Sequence, residues 1–391
     1  MWCFLPSRSL VASLLLLAPP ALAAVDAGDL LVTDQNGARV LVVDPDTGNV
    51  KVLSPRPGGD NLLVAPTGIA MSDRGTVCVV DQSTNQLVGI DASSGAQFVV
   101  QAGGGGPVSV GSEPFGLALR DSASAVEFWV SARGSAEIRA LVALVGLGIA
   151  SSPLVQDARF ANARGIALAG DVLDVAMDDG QGYYTVALDD GSIGDPLLSY
   201  DSLIPGLPPI DESPDVPAWD VEPYLFDVEV SLLETISFRT ALSLRETMLI
   251  PPGVPVCKEA TSRIVAYGTS FRQFDPIDPT SFASGTIEPA DGTPLHCPTA
   301  LVTGLDGALY ATDSAFSNGS GSQLVRLQPG AVTQTEIVAA LPDAPGGVTF
   351  PGGLAVAPVS VPEAGAGGAG ISLLASMLVL THSRARARRP S

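Results

Sequence analysis

Four side chains that could take part in binding or catalysis cluster around one recurring position of the sequence. Glu113 and Asn162 each stand three residues before a repeated glycine, and Arg164 and His296 lie beside equivalent positions. Carboxylate and amide oxygens bind hard cations such as Ca²⁺, and an imidazole can act as a general base. We predict a ligand site at these four residues. We predict no catalytic residue, metal or cofactor in it, with Ca²⁺ as the alternative. For His296, a structural role is favoured over that of a catalytic base.

The repeated glycine belongs to a motif, Pro-x-Gly-[Ile/Leu]-Ala, that positions these candidates. Its exact and degenerate copies are Pro66–Ala70, Pro114–Ala118, Ala163–Ala167, Pro298–Val302 and Pro351–Ala355. The first three copies are 48 and 49 residues apart, and the last two are 53 apart. Short apolar or alternating segments follow each copy, with Gly, Asp, Asn or Ser between them, which is typical of strands joined by turns. About four strands in such a unit predict the blade of a β-propeller.

Aspartates recur at a second position, near the end of the predicted second strand of four units. They are Asp34, Asp81, Asp178 and Asp313, and the last three follow their motif position by 13 residues. One interpretation of a repeated carboxylate is metal binding. We favour the other, in which each aspartate holds a turn by accepting hydrogen bonds from backbone N–H groups.

The two ends of the repeat region complete each other. The unit around Asp34 lacks an innermost strand, and the last motif, at Gly353–Ala357, is an innermost strand with no unit after it. We therefore predict an all-β fold, a single propeller whose ring is closed by N- and C-terminal strands, which removes exposed sheet edges. Residues 203–222 and 274–298 are predicted loops, and the strands between them supply one blade. Six blades are favoured, with seven as the alternative.

Cysteine usage fits an oxidising compartment. Cys78 lies in an alternating run, and we predict a small buried apolar residue there. Cys257 and Cys297 flank an irregular stretch that a disulfide would staple, with free thiols as the alternative. Metal binding by these cysteines is disfavoured, because neither has a second Cys or His at a zinc-like spacing.

Charge excludes two classes of protein. The chain of 391 residues has a net charge of −21, with 16% charged and 46% hydrophobic residues. It is too apolar for a disordered protein. Removing the arginines at the two ends leaves 15 bases against 41 acids, a net charge of −26 for the body. Such a body repels nucleic acid, so we predict no nucleic-acid partner.

The N-terminal segment predicts export. Residues 1–23 combine Arg8, an apolar stretch and the small-residue site Ala21-Leu22-Ala23. This pattern is that of a secretory signal peptide, and an uncleaved anchor is the alternative. The propeller body is then 24–358.

The C-terminal segment 359–391 has three parts in order. Pro362 and Glu363 precede 18 uncharged residues, which are followed by Arg384, Arg386, Arg388 and Arg389. A hydrophobic helix near the lower limit for a bilayer span is predicted, with the arginines holding its end in the cytoplasm. The layout resembles the PEP-CTERM sorting signal of Gram-negative bacteria, although Ala364 replaces the second proline. That resemblance implies an exosortase-type processing partner and a location in the cell envelope, on the outer surface or in the extracellular matrix. A plain membrane anchor is the alternative.

The body also resembles a known class of propellers. The Pro-x-Gly-[Ile/Leu]-Ala start with a later Val-x-Asp is similar to NHL-type propellers and their SMP-30/gluconolactonase and streptogramin-lyase relatives. The resemblance implies six blades, but propellers host unrelated functions. We predict a binding scaffold for an extracellular ligand. The alternative is a metal-dependent hydrolase or lactonase of SMP-30-like type at the channel mouth, for which Glu113 and Asn162 match the ligand types while Ala65, Cys297 and Phe350 depart from them.

Overall fold

The computed structural model shows a ring of antiparallel sheets around a central channel. It describes residues 25–55, 59–144, 148–177, 183–194, 222–234, 237–250, 254–257, 263–270, 285–287, 298–314, 321–328, 334–344 and 350–359, with backbone only for 183, 222–287, 298, 327–328 and 334–336. The predicted signal peptide, His296, Cys297, Asp178 and the whole sorting segment from residue 360 onward lie outside these ranges. Within them, no helix is long and apolar enough to cross a membrane.

The strands are numbered in chain order. They are β1 Leu30–Asp34, β2 Arg39–Val43, β3 Val50–Ser54, β4 Pro66–Met71, β5 Thr76–Asp81, β6 Gln86–Asp91, β7 Gln97–Val99, β8 Pro114–Asp121, β9 Ala125–Ala132, β10 Glu137–Leu144, β11 Gly148–Gln156, β12 Ala163–Ala169, β13 Val172–Met177, β14 Tyr183–Ala187, β15 Glu222–Glu234, β16 Ser237–Ile250, β17 Val254–Cys257, β18 Arg263–Ser270, β19 Gly285–Ile287, β20 Pro298–Thr303, β21 Leu309–Asp313, β22 Gln323–Gln328, β23 Gln334–Ala340 and β24 Pro351–Val356. A short 3₁₀ helix, Ala158–Asn162, precedes β12.

Five of the sheets are propeller blades. Blade I is β24-β1-β2-β3, blade II is β4 to β7, blade III is β8 to β11, blade IV is β12 to β14 and blade V is β20 to β23. In blade I, the C-terminal strand β24 pairs antiparallel with β1, so that Leu30 faces Val356. The predicted single propeller, closed by its N- and C-terminal strands, is therefore confirmed.

The predicted count of six blades, or seven, is wrong, because the segment between blades IV and V forms a sheet of another kind. Here β15 and β16 have 13 and 14 residues, and β18, β19 and β17 complete a five-stranded sheet. We predicted two strands, 235–238 and 242–250, where the structure has β16 alone. No Gly or Pro interrupts residues 237–250, so one long strand forms where the repeats favoured two. Its neighbour β15 contacts both β12 and β20.

The hydrophobic core consists of layers between neighbouring blades. Leu31, Val40 and Val42 of blade I pack with Val77 and Val79 of blade II, and equivalent layers join blades II with III, III with IV, and V with I. Blades I, II and III are thus covered on both faces. This explains why β1 and β2 are buried along their whole length and read as continuous apolar runs rather than alternating ones.

The motif glycines are required by the close approach of the innermost strands. A Cβ atom on Gly68 would lie 2.5 Å from the carbonyl oxygen of Phe115, and one on Gly116 would lie 2.5 Å from that of Arg164. Real Cβ atoms do not approach so closely. Glycine is needed here because the backbones of adjacent blades touch.

Hydroxyl groups reinforce the same contacts. Thr33 of blade I donates its hydroxyl proton to the carbonyl oxygen of Thr67 in blade II over 2.7 Å. Ser131 of blade III donates to the carbonyl oxygen of Arg164 in blade IV over 2.6 Å and accepts from the Gly116 amide over 2.7 Å. These buried hydrogen bonds fix the register between neighbouring blades.

Cys78 is buried in the layer between blades II and III, as predicted. It is 3% exposed and its thiol is free. Burial, with a smaller contribution from the Asp121 carboxylate, raises the pKa of the Cys78 thiol to about 12. Thiolate is the reactive form, so this thiol is shielded both sterically and electrostatically.

We expect iodoacetamide at pH 8 to leave Cys78 unmodified in the folded protein and to modify it fully in guanidinium chloride, as read by peptide mass spectrometry. The folded state holds the thiol proton more tightly than the unfolded chain. The free energy of unfolding therefore falls as the pH rises above 9, which is the ordinary pKa of the thiol. Cys78→Ala should flatten that slope. As a positive control, Ser93→Cys on an exposed turn should react at once. Native Cys78 reacting as fast as this control would contradict the expectation.

Candidate ligand site at one mouth of the channel

The channel has two ends that differ in how the chain reaches them. Each innermost strand begins at one end, here called the mouth face, and finishes at the other, the base face. The mouth face also carries the turns between second and third strands, such as Gln82–Asn85. The channel has a volume of about 280 Å³, and its lining includes Phe115, Gly116, Leu117, Thr299 and Gly352.

Two of the repeated aspartates hold the loops of the mouth face. Asp81 is fully buried and accepts hydrogen bonds from the amides of Val64 and Ala65, over 2.6 and 2.9 Å, and from the amide and hydroxyl of Thr84, over 2.9 and 3.0 Å. It thereby ties the loop that leads into β4 to the turn that follows β5. The geometry is that of a carboxylate organising backbone N–H groups.

Asp34 makes the same kind of junction in blade I. It accepts from the Gly37 amide over 3.0 Å and from the Phe350 amide over 3.1 Å, and it pairs with the Arg39 guanidinium over 2.8 Å. The Arg39 guanidinium in turn donates to the carbonyl oxygens of Pro342 and Asp343. Asp313 of blade V is also fully buried and accepts from the Gln323 amide group over 3.2 Å.

Blade III has no such aspartate and uses another arrangement. The Arg133 amide donates to the Glu113 carbonyl oxygen, as the Gln82 amide does to that of Ala65 in blade II, but here the Gly134 amide also donates to the Ser112 carbonyl oxygen. A buried glutamate, Glu137, lies nearby and pairs with Arg139. Sequence reasoning missed Glu137, although the shifted strand end at Ser131, two residues from the expected aspartate, was a signal that this blade differs.

Glu113 lies at the mouth face with an exposed side chain. Its backbone adopts φ +50°, and its amide donates to the Asn85 side-chain oxygen over 2.7 Å. Few residues other than glycine adopt this region, so the conformation is set by the junction between blades II and III. Asn162 ends the 3₁₀ helix and is half-buried.

Arg164 and Phe115 form a pair across blades III and IV. The Arg164 guanidinium lies 4.6 Å from the centroid of the Phe115 ring, which is the geometry of a cation–π contact. Phe115 is 4% exposed and lines the channel, while Arg164 is half-buried. The pair places a cation and an aromatic ring together at the mouth.

Both residues occupy the variable second position of the motif. That position is filled by Thr67, Phe115, Arg164, Thr299 and Gly352 in the five copies. Only blades III and IV carry a large side chain there, and in the ring they are neighbours. Phe115 was missed by sequence reasoning, and comparison of this one motif position among the copies would have singled it out.

A second arginine–aromatic pair lies outside the channel. The Arg159 guanidinium lies 5.4 Å from the Tyr184 ring and is bonded to the Asp157 carboxylate over 2.9 Å. The hydrogen bonds from Arg159 lower the pKa of Asp157 to about 2. This exposed arginine serves below as a matched control for Arg164.

The remaining candidates are not assembled into one centre by the described residues. Of the four predicted site residues, Glu113, Asn162 and Arg164 lie at the mouth face, and His296 lies outside the described ranges. The predicted disulfide cannot be placed, because Cys297 lies outside them and the side chain of Cys257 is not described. Among described residues, no three or more His, Cys, Asp or Glu side chains are grouped to hold a metal ion.

Comparison with solved structures finds similar chains, of which the first shows the fold. A chain from the crystal structure of a nidogen/laminin complex is 14% identical, with a TM-score of 0.52, and the match covers 85% of this chain and 98% of that one. A virginiamycin B lyase from Staphylococcus aureus is 11% identical with a TM-score of 0.41, covering 81% and 82%. A protein of unknown function from Bacteroides caccae is 10% identical with a TM-score of 0.46, covering 84% and 98%. No protein-family model and no curated protein matches.

The sheet topology and the nidogen/laminin match together define a single all-β propeller. At these identities the nidogen/laminin match shows the fold alone, and the other two carry no argument about function. The predicted propeller is confirmed, whereas the narrower resemblance to NHL and SMP-30 relatives and to PEP-CTERM proteins stays a prediction.

Proposed function

We propose that this protein is an exported, surface- or matrix-associated scaffold that binds a ligand over the mouth of its channel and has no catalysis of its own. The observation that carries the proposal is the pairing of Arg164 with Phe115 at the variable motif positions of neighbouring blades. The nidogen/laminin structure supports a binding role to the extent that a chain of this fold belongs to a protein complex.

The chemistry of the pair indicates the ligand class. A guanidinium recognises carboxylates through paired hydrogen bonds, and the buried Phe115 ring supports the Arg164 guanidinium from below. A uronic-acid polysaccharide of an extracellular matrix presents a carboxylate on each sugar. We therefore propose an acidic matrix glycan as the ligand.

The two terminal segments determine the cellular location of the protein in this proposal. Residues 1–23 direct export and are removed, and the segment 359–391 holds the chain in the membrane until an exosortase-type enzyme processes it. The apolar run and the terminal arginine cluster support this role. The bacterium is Gram-negative by the same reasoning.

Binding of defined glycans tests the proposal. We expect the purified chain to bind alginate and not the neutral glycan dextran, as measured by biolayer interferometry. Because the body carries a net charge of −26, it repels an acidic glycan at long range. Binding should therefore be tighter at 0.15 M salt, where the screening length is about 8 Å, than at 0.01 M salt, where it is about 30 Å. Arg164→Gln should weaken alginate binding about tenfold, the effect of losing one charge-assisted contact.

Arg159→Gln is the matched control, since Arg159 also stacks on an aromatic ring but lies away from the channel. Its affinity should stay within about twofold of the parent protein. Equal loss in both variants, or equal binding of alginate and dextran, would overturn the proposed ligand. Stoichiometric calcium or zinc that is lost in Glu113→Ala would instead support the metal-dependent hydrolase.

A further inference from the structure

We infer that the base face of the propeller rests against the lipid bilayer and that the mouth face, with Arg164 and Phe115, points away from it. The inference rests on the proposed membrane anchoring of the C-terminal segment and adds an interaction surface and its partner. Three observations carry it: where the chain leaves the ring, how short the connection is, and which apolar side chains lie exposed at the base face.

The chain leaves the ring at the base face. The last innermost strand, β24, runs from the mouth face to the base face and ends at Val356. Ala357 then exchanges backbone hydrogen bonds with the N-terminal segment, donating to Asp29 and accepting from Gly28, over 2.8 and 3.0 Å. Both termini of the described propeller are therefore fixed at one end of the channel.

The connection between the propeller and the apolar run is too short for the mouth face to contact the bilayer. Only residues 360–363 separate Val359 from the uncharged run that starts at Ala364. A bilayer span takes about 20 residues, so all 18 residues of that run are needed for it. An extended connection of five steps reaches about 17 Å, whereas a six-residue strand such as β24 is already about 20 Å long. The mouth face cannot reach the bilayer on such a tether.

Exposed apolar side chains lie at the base face, and one of them is close to the exit point. Val359, Leu305 and Leu144 are 76%, 51% and 41% exposed. Leu305 follows the innermost strand of blade V and Leu144 ends the third strand of blade III, so both lie at the base face, and Leu305 lies beside Gly28. Apolar groups of this kind partition into the interfacial region of a membrane. The turns around them carry Asp73 and Asp171, so neutral lipid is the surface of choice for a test.

Energy transfer to labelled lipid tests the orientation. The exported full chain is reconstituted into phosphatidylcholine vesicles that contain a headgroup-labelled acceptor lipid. Asp73, on the base face of blade II, or Ser83, on its mouth face, is replaced by p-azidophenylalanine and coupled to a donor dye, which avoids the cysteines. Both residues are exposed and belong to the same blade. The two labels therefore differ mainly in their distance from the base face along the channel axis, by about 20 Å.

We expect transfer from position 73 to exceed that from position 83 at least about twofold, given this difference in height. Leu305→Asp should reduce transfer from position 73. Deletion of 360–391 should abolish co-sedimentation with the vesicles. Equal transfer from both positions, or stronger transfer from 83, in a chain that does co-sediment would overturn the orientation and leave the anchoring intact. Failure of the full chain to co-sediment would overturn the anchoring itself.

Discussion

Gly116→Ala is expected to destabilise the propeller by about 3 kcal/mol or more, a large part of the stability of an ordinary domain. The added Cβ would lie 2.5 Å from the Arg164 carbonyl oxygen and 2.9 Å from the Ile166 amide nitrogen, both backbone atoms of the next blade. A flexible side chain can move away from such a contact, but a backbone held in two sheets cannot. Thermal unfolding followed by circular dichroism should show a decrease in Tm of roughly 5–10 °C.

The matched control for this change is Gly104→Ala. A Cβ on Gly104 meets no atom within 4 Å, so the same substitution there should alter stability by less than about 0.5 kcal/mol. If Gly116→Ala proved as mild as this control, the innermost strands of blades III and IV would not be in backbone contact. Because Arg164 lies at that contact, the same variant should also weaken binding at the mouth.

Asp81→Ala is expected to cost about 3 kcal/mol or more. The carboxylate is fully buried and accepts four hydrogen bonds, and its removal leaves the Val64, Ala65 and Thr84 amides without their acceptor. Urea unfolding measures the loss through the transition midpoint. Asp81→Asn, which keeps one acceptor oxygen, should lose less than Asp81→Ala.

Asp44→Ala controls for the number of hydrogen bonds. Asp44 accepts three hydrogen bonds, nearly as many as Asp81, from the Asp46 amide and from the amide and hydroxyl of Thr47, but at a solvent-exposed turn. Water replaces the lost acceptor there, so the change should cost less than about 1 kcal/mol. Similar losses at Asp81 and Asp44 would show that burial is not what makes the repeated aspartates important.

The motif made the fold predictable because its physical cause is local and repeated. Glycine at the third position permits backbone contact between blades, and a carboxylate at the end of the second strand gathers nearby N–H groups. The repeated contacts require these residues, so they recur at nearly constant spacing. The same reasoning failed for residues 222–287, where the motif is absent and strand lengths depend on pairing that no local signal records.

The candidate site was only partly predictable. Glu113, Asn162 and Arg164 were found by their distance from the motif glycine, and the structure places all three at the mouth face. Phe115 was overlooked because an aromatic residue inside a strand motif is ordinarily a core residue. Its contact with Arg164 joins residues 49 positions apart in the sequence and exists only because blades III and IV are adjacent.

The sequence by itself determined the propeller, its closure by the two terminal strands and the burial of Cys78, because each follows from a repeated pattern or a continuous apolar run. Only the tertiary structure decided that five sheets have blade geometry and a sixth does not. Only it showed that Glu137 supplies a buried carboxylate in blade III and that a cation and an aromatic ring meet at the mouth. The physical reason is that each of these depends on how particular strands pair and particular side chains pack, and the spacing of the motif carries no record of that.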